Sequence, residues 1–144
     1  MEFQARAAVF LRDSDLQRQL RIETLPLWCD SIDKVLSQQG DKGEIYCIWG
    51  AFRIHREMIC DGVRFTLPTC PNALQWTVTA DPRRHDVLVH CTINKDEHDE
   101  DFIASIEQFV ADWKAGLEAG PERLRAAREG KRVGECTPTY GGFG

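Results

Sequence analysis

Apolar and polar residues alternate strictly through the centre of the chain. Three segments place an apolar side chain at every second position: Val63–Leu67, Leu74–Thr79 and Val87–Ile93. A period of two puts the apolar side chains on one face of a strand and the polar ones on the other. Together with the apolar-rich segments Glu44–Trp49 and Phe52–Cys60, the pattern predicts an antiparallel meander with one apolar face.

Turn residues separate these predicted strands. Asp61-Gly62 indicates a tight hairpin, because glycine accepts a positive φ. The segment Asp81–Asp86 indicates a longer turn before the last strand. Gly50-Ala51 indicates a bulge or a short turn between two of the earlier strands.

A long C-terminal helix is predicted by apolar residues that recur at spacings of three and four. This stripe consists of Phe102, Ile106, Phe109, Val110, Trp113 and Leu117. Asn94 or Asp96 is the expected N-cap, and Gly120-Pro121 is the expected stop. The stripe is typical of a helix that packs across the apolar face of a sheet.

The N-terminal third of the chain is harder to assign. A second helix is predicted over Ser31–Gln39, with Asp30 as its cap and Gly40 as its terminator. Residues 3–25 fit a helix in their first half and a strand in their second half, so both alternatives stay open.

These elements predict an α+β fold with two layers. An antiparallel sheet of four to six strands carries the long C-terminal helix on one face. We expect a single domain over residues 1–120, whose net charge is −7, followed by a basic, then Gly-rich, flexible tail over residues 121–144, whose net charge is +2. The tail is expected to be dispensable for folding.

Composition excludes several classes of function. The net charge of −5 argues against a general nucleic-acid binder, which needs a basic surface. The longest apolar stretch, Ile45–Phe52, is far shorter than the roughly 20 residues that cross a bilayer. No secretory signal is recognisable at the N-terminus. We therefore expect a cytoplasmic protein without a nucleic-acid or membrane partner.

The six cysteines predict neither disulfides nor a metal site. Cys47 and Cys91 lie in strand-like runs, where a thiol acts as a small apolar filler, and no pair has the CxxC spacing. His90 and Cys91 are adjacent on a strand and so face opposite sides, which argues against shared zinc ligation. We expect reduced, mostly buried thiols, with Cys136 as the exposed one, and no cofactor.

The polar face of the predicted sheet is the first candidate functional surface. Its candidate binding residues are Arg53, His55, Glu57, Arg64, Thr77 and His90. The apolar residues Ile59 and Leu88 interrupt this face, which favours contact with a partner over permanent exposure to water. If the two histidines lie close together, their protonation would weaken that contact below about pH 6.

No catalytic motif or phosphate-binding loop occurs, so the sequence favours a non-enzymatic protein. The preferred interpretation is a small binding or adaptor protein that acts through protein–protein contacts as a homodimer. The alternative is a small-molecule-binding or catalytic domain with a pocket between the C-terminal helix and the sheet, lined by Trp49, Trp76, Cys91 and Trp113. A cavity of about 300 Å³ at that place would favour the alternative, and a close-packed interior would favour the adaptor.

Overall fold

The computed structural model describes residues 1–94 and 98–120. Its strands are β1 (Glu2–Ala7), β2 (Ile32–Gln39), β3 (Lys42–Cys47), β4 (Gly50–Ile59), β5 (Gly62–Thr66), β6 (Gln75–Asp81) and β7 (Asp86–Thr92). Its α-helices are α1 (Asp13–Gln19), α2 (Leu25–Trp28) and α3 (Glu100–Glu118), and a 3₁₀ helix lies at Ile22–Thr24.

All seven strands belong to one antiparallel sheet with the order β1-β7-β6-β5-β4-β3-β2. Strands β2 to β7 pair in sequence order, so the predicted meander is confirmed, and β1 adds to the outer side of β7. The predicted count of four to six strands was wrong. The segment of β1 does alternate, with Phe3, Ala5 and Ala7 facing inward, but it was not recognised as a strand because Phe3 and Ala7 also fit the spacing of a helix. The segment of β2 was not recognised because its residues are mostly exposed and its register shifts.

The helix predicted over Ser31–Gln39 was wrong, because this segment forms β2. The register against β3 shifts between Ile32 and Lys34 and again between Val35 and Ser37. Each shift adds a residue to one strand and turns an apolar spacing of two into three, which imitates a helix. Gly40 does end the element, but as a left-handed turn residue with φ of +63°.

The structure decides the ambiguous N-terminal region. Residues 2–7 form β1, which runs antiparallel to β7, and helix character appears only from Asp13 onwards. Two short helical segments follow the first helix, and Pro26 stands in the first turn of α2, where its missing N–H costs no helical hydrogen bond. The strand expected near Leu20–Thr24 is a turn of 3₁₀ helix instead.

The long C-terminal helix is confirmed, and its apolar stripe faces the sheet. Ile106, Phe109, Val110, Trp113 and Leu117 are all buried. The helix begins later than expected, at Glu100, and Asp99 occupies the N-cap position without a side-chain capping bond. Of the two predicted caps, Asn94 lies outside the helix, and Asp96 lies outside the described residues.

A buried arginine fixes the first helix to the sheet. Arg56 lies on the inner face of β4, with only 5% of its side chain exposed. Its guanidinium donates hydrogen bonds to the backbone oxygens of Gln17 and Leu20, which are otherwise unpaired at the C-terminal end of α1. It also donates to Asp41, at 3.1 Å, in the turn between β2 and β3. One side chain therefore ties α1, that turn and β4 together.

The hairpin at Asp61-Gly62 is present, but glycine is needed there for a different reason. Cys60 and Asp61 form a two-residue turn, and Ile59 pairs with Gly62 across it. Gly62 does not have a positive φ. A Cβ atom at this position would lie 2.0 Å from the backbone oxygen of Val78, so glycine permits a close approach of β5 and β6.

Within residues 1–94 and 98–120, no helix is both long and apolar enough to cross a membrane. The predicted tail over residues 121–144 lies outside the described residues, as does Cys136. The expected domain boundary near residue 120 therefore stays a prediction.

Candidate functional site

Aromatic side chains fill the space between α3 and the inner face of the sheet. The ring of Trp76 on β6 lies 4.8 Å from Phe109 and 6.3 Å from Trp113, both on α3. Phe65 on β5 stacks on Trp76 with the ring centroids 5.3 Å apart. All four side chains are at most 1% exposed. We call this group, Phe65, Trp76, Phe109 and Trp113, the aromatic core.

Three buried indole nitrogens have no hydrogen-bond acceptor among the described residues. They belong to Trp28, Trp76 and Trp113. An indole N–H is a donor only, and a buried donor without an acceptor costs about 1–3 kcal/mol. Three such groups in one interior are unusual, because buried polar groups in folded proteins are nearly always paired.

Trp49 differs from these three tryptophans, because its indole N–H has a hydrogen-bond acceptor. It lies in the turn between β3 and β4, half-buried at the edge of the interior, and its N–H donates to the Ser105 hydroxyl on α3 at 2.8 Å. Its ring contacts Phe109 with the centroids 4.9 Å apart. Trp49 therefore borders the aromatic core, whereas the other three tryptophans lie fully inside the fold.

The structure brings three of the four predicted pocket residues together. Cys91 on β7 pairs with Trp76 on β6, and Trp113 on α3 lies against Trp76. Trp49, the fourth, stands at the rim. Trp28, the third tryptophan with a buried unpaired indole N–H, lies on α2 against Gly116 and Gly120, outside the aromatic core.

A groove lies at the surface between α3 and the edge strand β1. It has a volume of about 380 Å³, and its apolar lining includes Phe3, Ala5 and Val110, while Glu107 and Lys114 bring charged groups to it. Phe3 pairs with Cys91, and Cys91 pairs with Trp76, so the groove lies two strands away from Trp76 in the aromatic core. We call it the α3–β1 groove.

Burial makes the inner cysteines poor nucleophiles. It raises the pKa of Cys91 to about 12 and also raises the pKa values of Cys29 and Cys47, because a thiolate is poorly stabilised away from water. Cys60, in contrast, is exposed in the turn between β4 and β5, so the expectation of a single exposed thiol at Cys136 was wrong. Among the described residues no three His, Cys, Asp or Glu side chains are placed to hold a metal ion.

The outer face of the sheet carries the predicted polar surface in three rows. Glu57, Arg64, Thr77 and His90 pair in succession across β4, β5, β6 and β7. His55 lies in the next row, where it pairs with Thr66 and Lys42 on its two neighbouring strands, and Arg53 pairs with Glu44. The six predicted residues therefore share one face, as the alternation predicts.

The two histidines are not neighbours. Two strands separate His55 on β4 from His90 on β7, so their side chains cannot pack against each other. A nitrogen of His90 lies 2.8 Å from the Glu2 carboxylate on β1. The condition for acid-sensitive contact through a histidine pair is therefore not met.

Comparison with known proteins supports the fold and gives no family. No protein-family model matches the sequence, and no curated protein is significantly similar to it. Two solved structures are similar over nearly all of their length. The protein XoxI from Bacillus cereus has a TM-score of 0.61 and 14% identity, and the similarity covers 83% of this chain and 94% of that one.

The second similar structure is a START superfamily protein from Mycobacterium smegmatis. Its TM-score is 0.56 at 12% identity, and the similarity covers 86% of this chain and 97% of that one. The two comparisons show that the chain has a START-like α+β fold, with a seven-stranded antiparallel sheet and one long C-terminal helix. At this level of identity the likeness concerns the fold alone.

Proposed function

We propose that the protein binds a small, mainly apolar molecule between α3 and the inner face of the sheet, at the aromatic core. The observation that carries the proposal is that the indole N–H groups of both tryptophans in the aromatic core, Trp76 and Trp113, are buried without acceptors. A molecule that brings acceptor atoms into this space would satisfy donors that no described residue satisfies. Each such bond would remove part of the cost of burying the donor.

The close packing of the interior bears on this proposal. Close packing alone favours the adaptor interpretation, since the aromatic core leaves little room. The fold likeness points the other way, because START-like proteins typically bind small molecules in a pocket. The α3–β1 groove also supports small-molecule binding, since it has a volume of about 380 Å³ and lies beside Val110, which belongs to the buried stripe of α3. A ligand would enter along this groove, and aromatic side chains would have to move apart to make room for it.

The chemistry of the interior limits what the ligand can be. The only buried charged side chain among the described residues is Arg56, and its guanidinium already has three acceptors. A charged ligand would therefore lack a counter-ion, and burying an unpaired charge is expensive. The ligand that fits is uncharged, with a large apolar surface and one or more acceptor atoms.

Conservative tryptophan variants test the proposal. The wild-type protein, purified from its native host, would be analysed by native mass spectrometry and by solvent extraction for a bound small molecule. The identified molecule would then be titrated against Trp76→Phe and Trp113→Phe, which remove an N–H donor and keep an aromatic ring. Loss of one hydrogen bond should weaken binding about 5- to 10-fold.

Trp49→Phe is the matched control, because the Trp49 N–H already donates to Ser105. Its affinity should stay within about twofold of the wild type, since no donor to the ligand is lost. Absence of any bound small molecule from the native preparation, or equal affinities of the three variants, would contradict the proposal.

Self-association through the outer face is a second candidate. Ile59 and Leu88 lie in the same row of this face, linked through Gly62 and Thr79, and both are half-buried within the isolated chain. A second copy could cover both residues at once. Light scattering of the double variant Ile59→Lys with Leu88→Lys, beside His55→Ala with His90→Ala, tests this. A wild-type dimer that only the lysine variant dissociates would support it, and a monomeric wild type would exclude it.

A further inference from the structure

A polar depression lies on the outer face of the sheet, where β2, β3 and β4 run side by side. Its volume is about 500 Å³, which is in the range of small-molecule sites, and Ser37, Gln39, Lys42, Glu44 and Arg53 line it. We call it the β2–β4 depression. It is on the opposite side of the sheet from the aromatic core, so it is independent of the function proposed above.

Two cationic side chains in this depression have no ion-pair partner. Neither Lys42 nor Arg53 makes a side-chain hydrogen bond or an ion pair with any residue that the structure describes. The other outer-face arginines differ, since Arg64 pairs with Glu57 and Arg6 with two aspartates. Arg12, Lys34 and Arg83 also have no ion pair with a described residue, but they do not line this depression.

The register places the two cations where one anion can reach both. Lys42 pairs directly with His55, and Arg53 is two residues before His55 on the same strand. Lys42 and Arg53 are therefore diagonal neighbours across β3 and β4, with their Cα atoms about 7–8 Å apart. Long side chains at this separation can converge on the oxygens of one phosphate group.

The remaining lining groups are able to form hydrogen bonds with hydroxyl groups. Glu44 pairs with Arg53 across the strands, yet the two side chains do not come within ion-pair distance. Its carboxylate is an acceptor for hydroxyl donors and repels a bare anion. Ser37, the register partner of Glu44 on β2, adds a neutral hydroxyl, and Gln39, the partner of Lys42, adds an amide.

The turn between β2 and β3, next to the depression, is held in place by Arg56 on the inner face of the sheet. Asp41, next to Lys42, accepts a hydrogen bond from the buried Arg56 guanidinium, and its backbone oxygen accepts one from the Arg56 N–H at 2.8 Å. The turn between β2 and β3 is therefore anchored to β4. Such anchoring lowers the entropy lost when a ligand binds.

We propose that the β2–β4 depression binds a small organic anion that also carries hydroxyl groups, of the class of sugar phosphates. Lys42 and Arg53 hold the phosphate group, and Glu44 and Ser37 bind the hydroxyls. Because both cations are exposed to solvent, the affinity falls as the salt concentration rises.

Titrations followed by backbone amide NMR test the proposal on the full chain. The probes are glucose 6-phosphate, glucose and inorganic phosphate, each at the same ionic strength, with sodium chloride as the blank. We expect saturable shifts confined to β2–β4, and the highest affinity for glucose 6-phosphate. Lys42→Gln and Arg53→Gln should each weaken it about tenfold, the value of one charge-assisted hydrogen bond.

Two further variants separate the proposed site from general attraction of anions. Arg64→Gln removes an outer-face arginine outside the depression and should leave the affinity unchanged. Glu44→Gln should strengthen the binding of inorganic phosphate and narrow the preference for the sugar phosphate. The proposal is wrong if inorganic phosphate binds as tightly as glucose 6-phosphate to the wild type, if Arg64→Gln weakens binding as much as Arg53→Gln, or if sodium chloride reproduces the shifts.

Discussion

Replacement of Arg56 by methionine should destabilise the protein more than any surface change of the same kind. Methionine keeps an unbranched apolar side chain but removes all the guanidinium donors. The backbone oxygens of Gln17 and Leu20 then lose their hydrogen-bond donor, and the bond lost at Leu20 is buried. The salt bridge to Asp41 adds little, because the aspartate side chain is 58% exposed and becomes hydrated.

The magnitude follows from the two carbonyl groups. A buried acceptor left without a donor costs about 1–3 kcal/mol, and the more accessible oxygen of Gln17 lies at the low end. The free energy of unfolding should therefore fall by about 2–4 kcal/mol. For a domain of this size that loss corresponds to about 1–2 M in the urea midpoint.

Urea unfolding monitored by tryptophan fluorescence measures this loss. Arg64→Met is the control, since Arg64 pairs only with the exposed Glu57 on the outer face, and its loss should cost less than about 1 kcal/mol. Hydrogen exchange should also quicken in α1 for the Arg56 variant alone. Equal midpoints for the two variants, with α1 still protected, would refute the reasoning that Arg56 holds α1 on the sheet.

Three further outcomes are expected. Gly116→Ala should strongly lower the melting temperature, because a Cβ atom at this position would lie 1.7 Å from the backbone oxygen of Trp28. This clash should outweigh the roughly 1 kcal/mol by which alanine favours a helix over glycine, and a rise in melting temperature would contradict the reasoning. In a thiol titration of the native protein, the exposed Cys60 should react quickly. Cys91 should react only after denaturation, because burial raises its pKa to about 12. If the Cys60→Ser variant shows the same number of quickly reacting thiols as the wild type, Cys60 is not one of them. The backbone N–H of Arg84 holds the pKa of Asp81 below its usual 3.8, so Asp81 stabilises the fold above about pH 4 and loses this effect as the pH falls through its lowered pKa. The Asp81→Asn variant should therefore match the wild type in stability at pH 2 and be less stable than the wild type at pH 7. An equal difference in stability at both pH values would exclude the mechanism.

The sequence pattern predicted the centre of the sheet better than its edges. Strands β5, β6 and β7 are covered by α3 and the short helices on one face only, so burial imposes a strict alternation that is visible in the sequence. Strand β2 has a neighbour on one side only and carries two register shifts. Its residues are mostly exposed, and without burial no pattern marks the segment as a strand.

The residues of the candidate site were likewise predictable only where local periodicity places them. Trp76, Cys91 and Trp113 were predicted to lie together because each is on the apolar face of its own element, which local periodicity reveals. The burial of Trp28 against Gly116 depends on how α2 packs on α3, and no local pattern encodes that. The separation of His55 from His90 likewise depends on the strand order, which becomes known only once the pairing of the whole sheet is known.

The pairing of β1 with β7 joins residues that are distant in the chain, with Glu2 opposite Thr92. During synthesis β1 emerges first and must wait for about 80 residues before its partner strand exists. The hairpins from β2 to β7 close small loops and can form as they emerge, whereas closing the largest loop costs more conformational entropy and is slow. Until β7 is complete, the inner face of the nascent sheet and the unpaired β1 segment stay open to other chains. Slow addition of β1 and α3 would therefore make the interval before these two elements pack onto the sheet the one most exposed to aggregation and most dependent on chaperones.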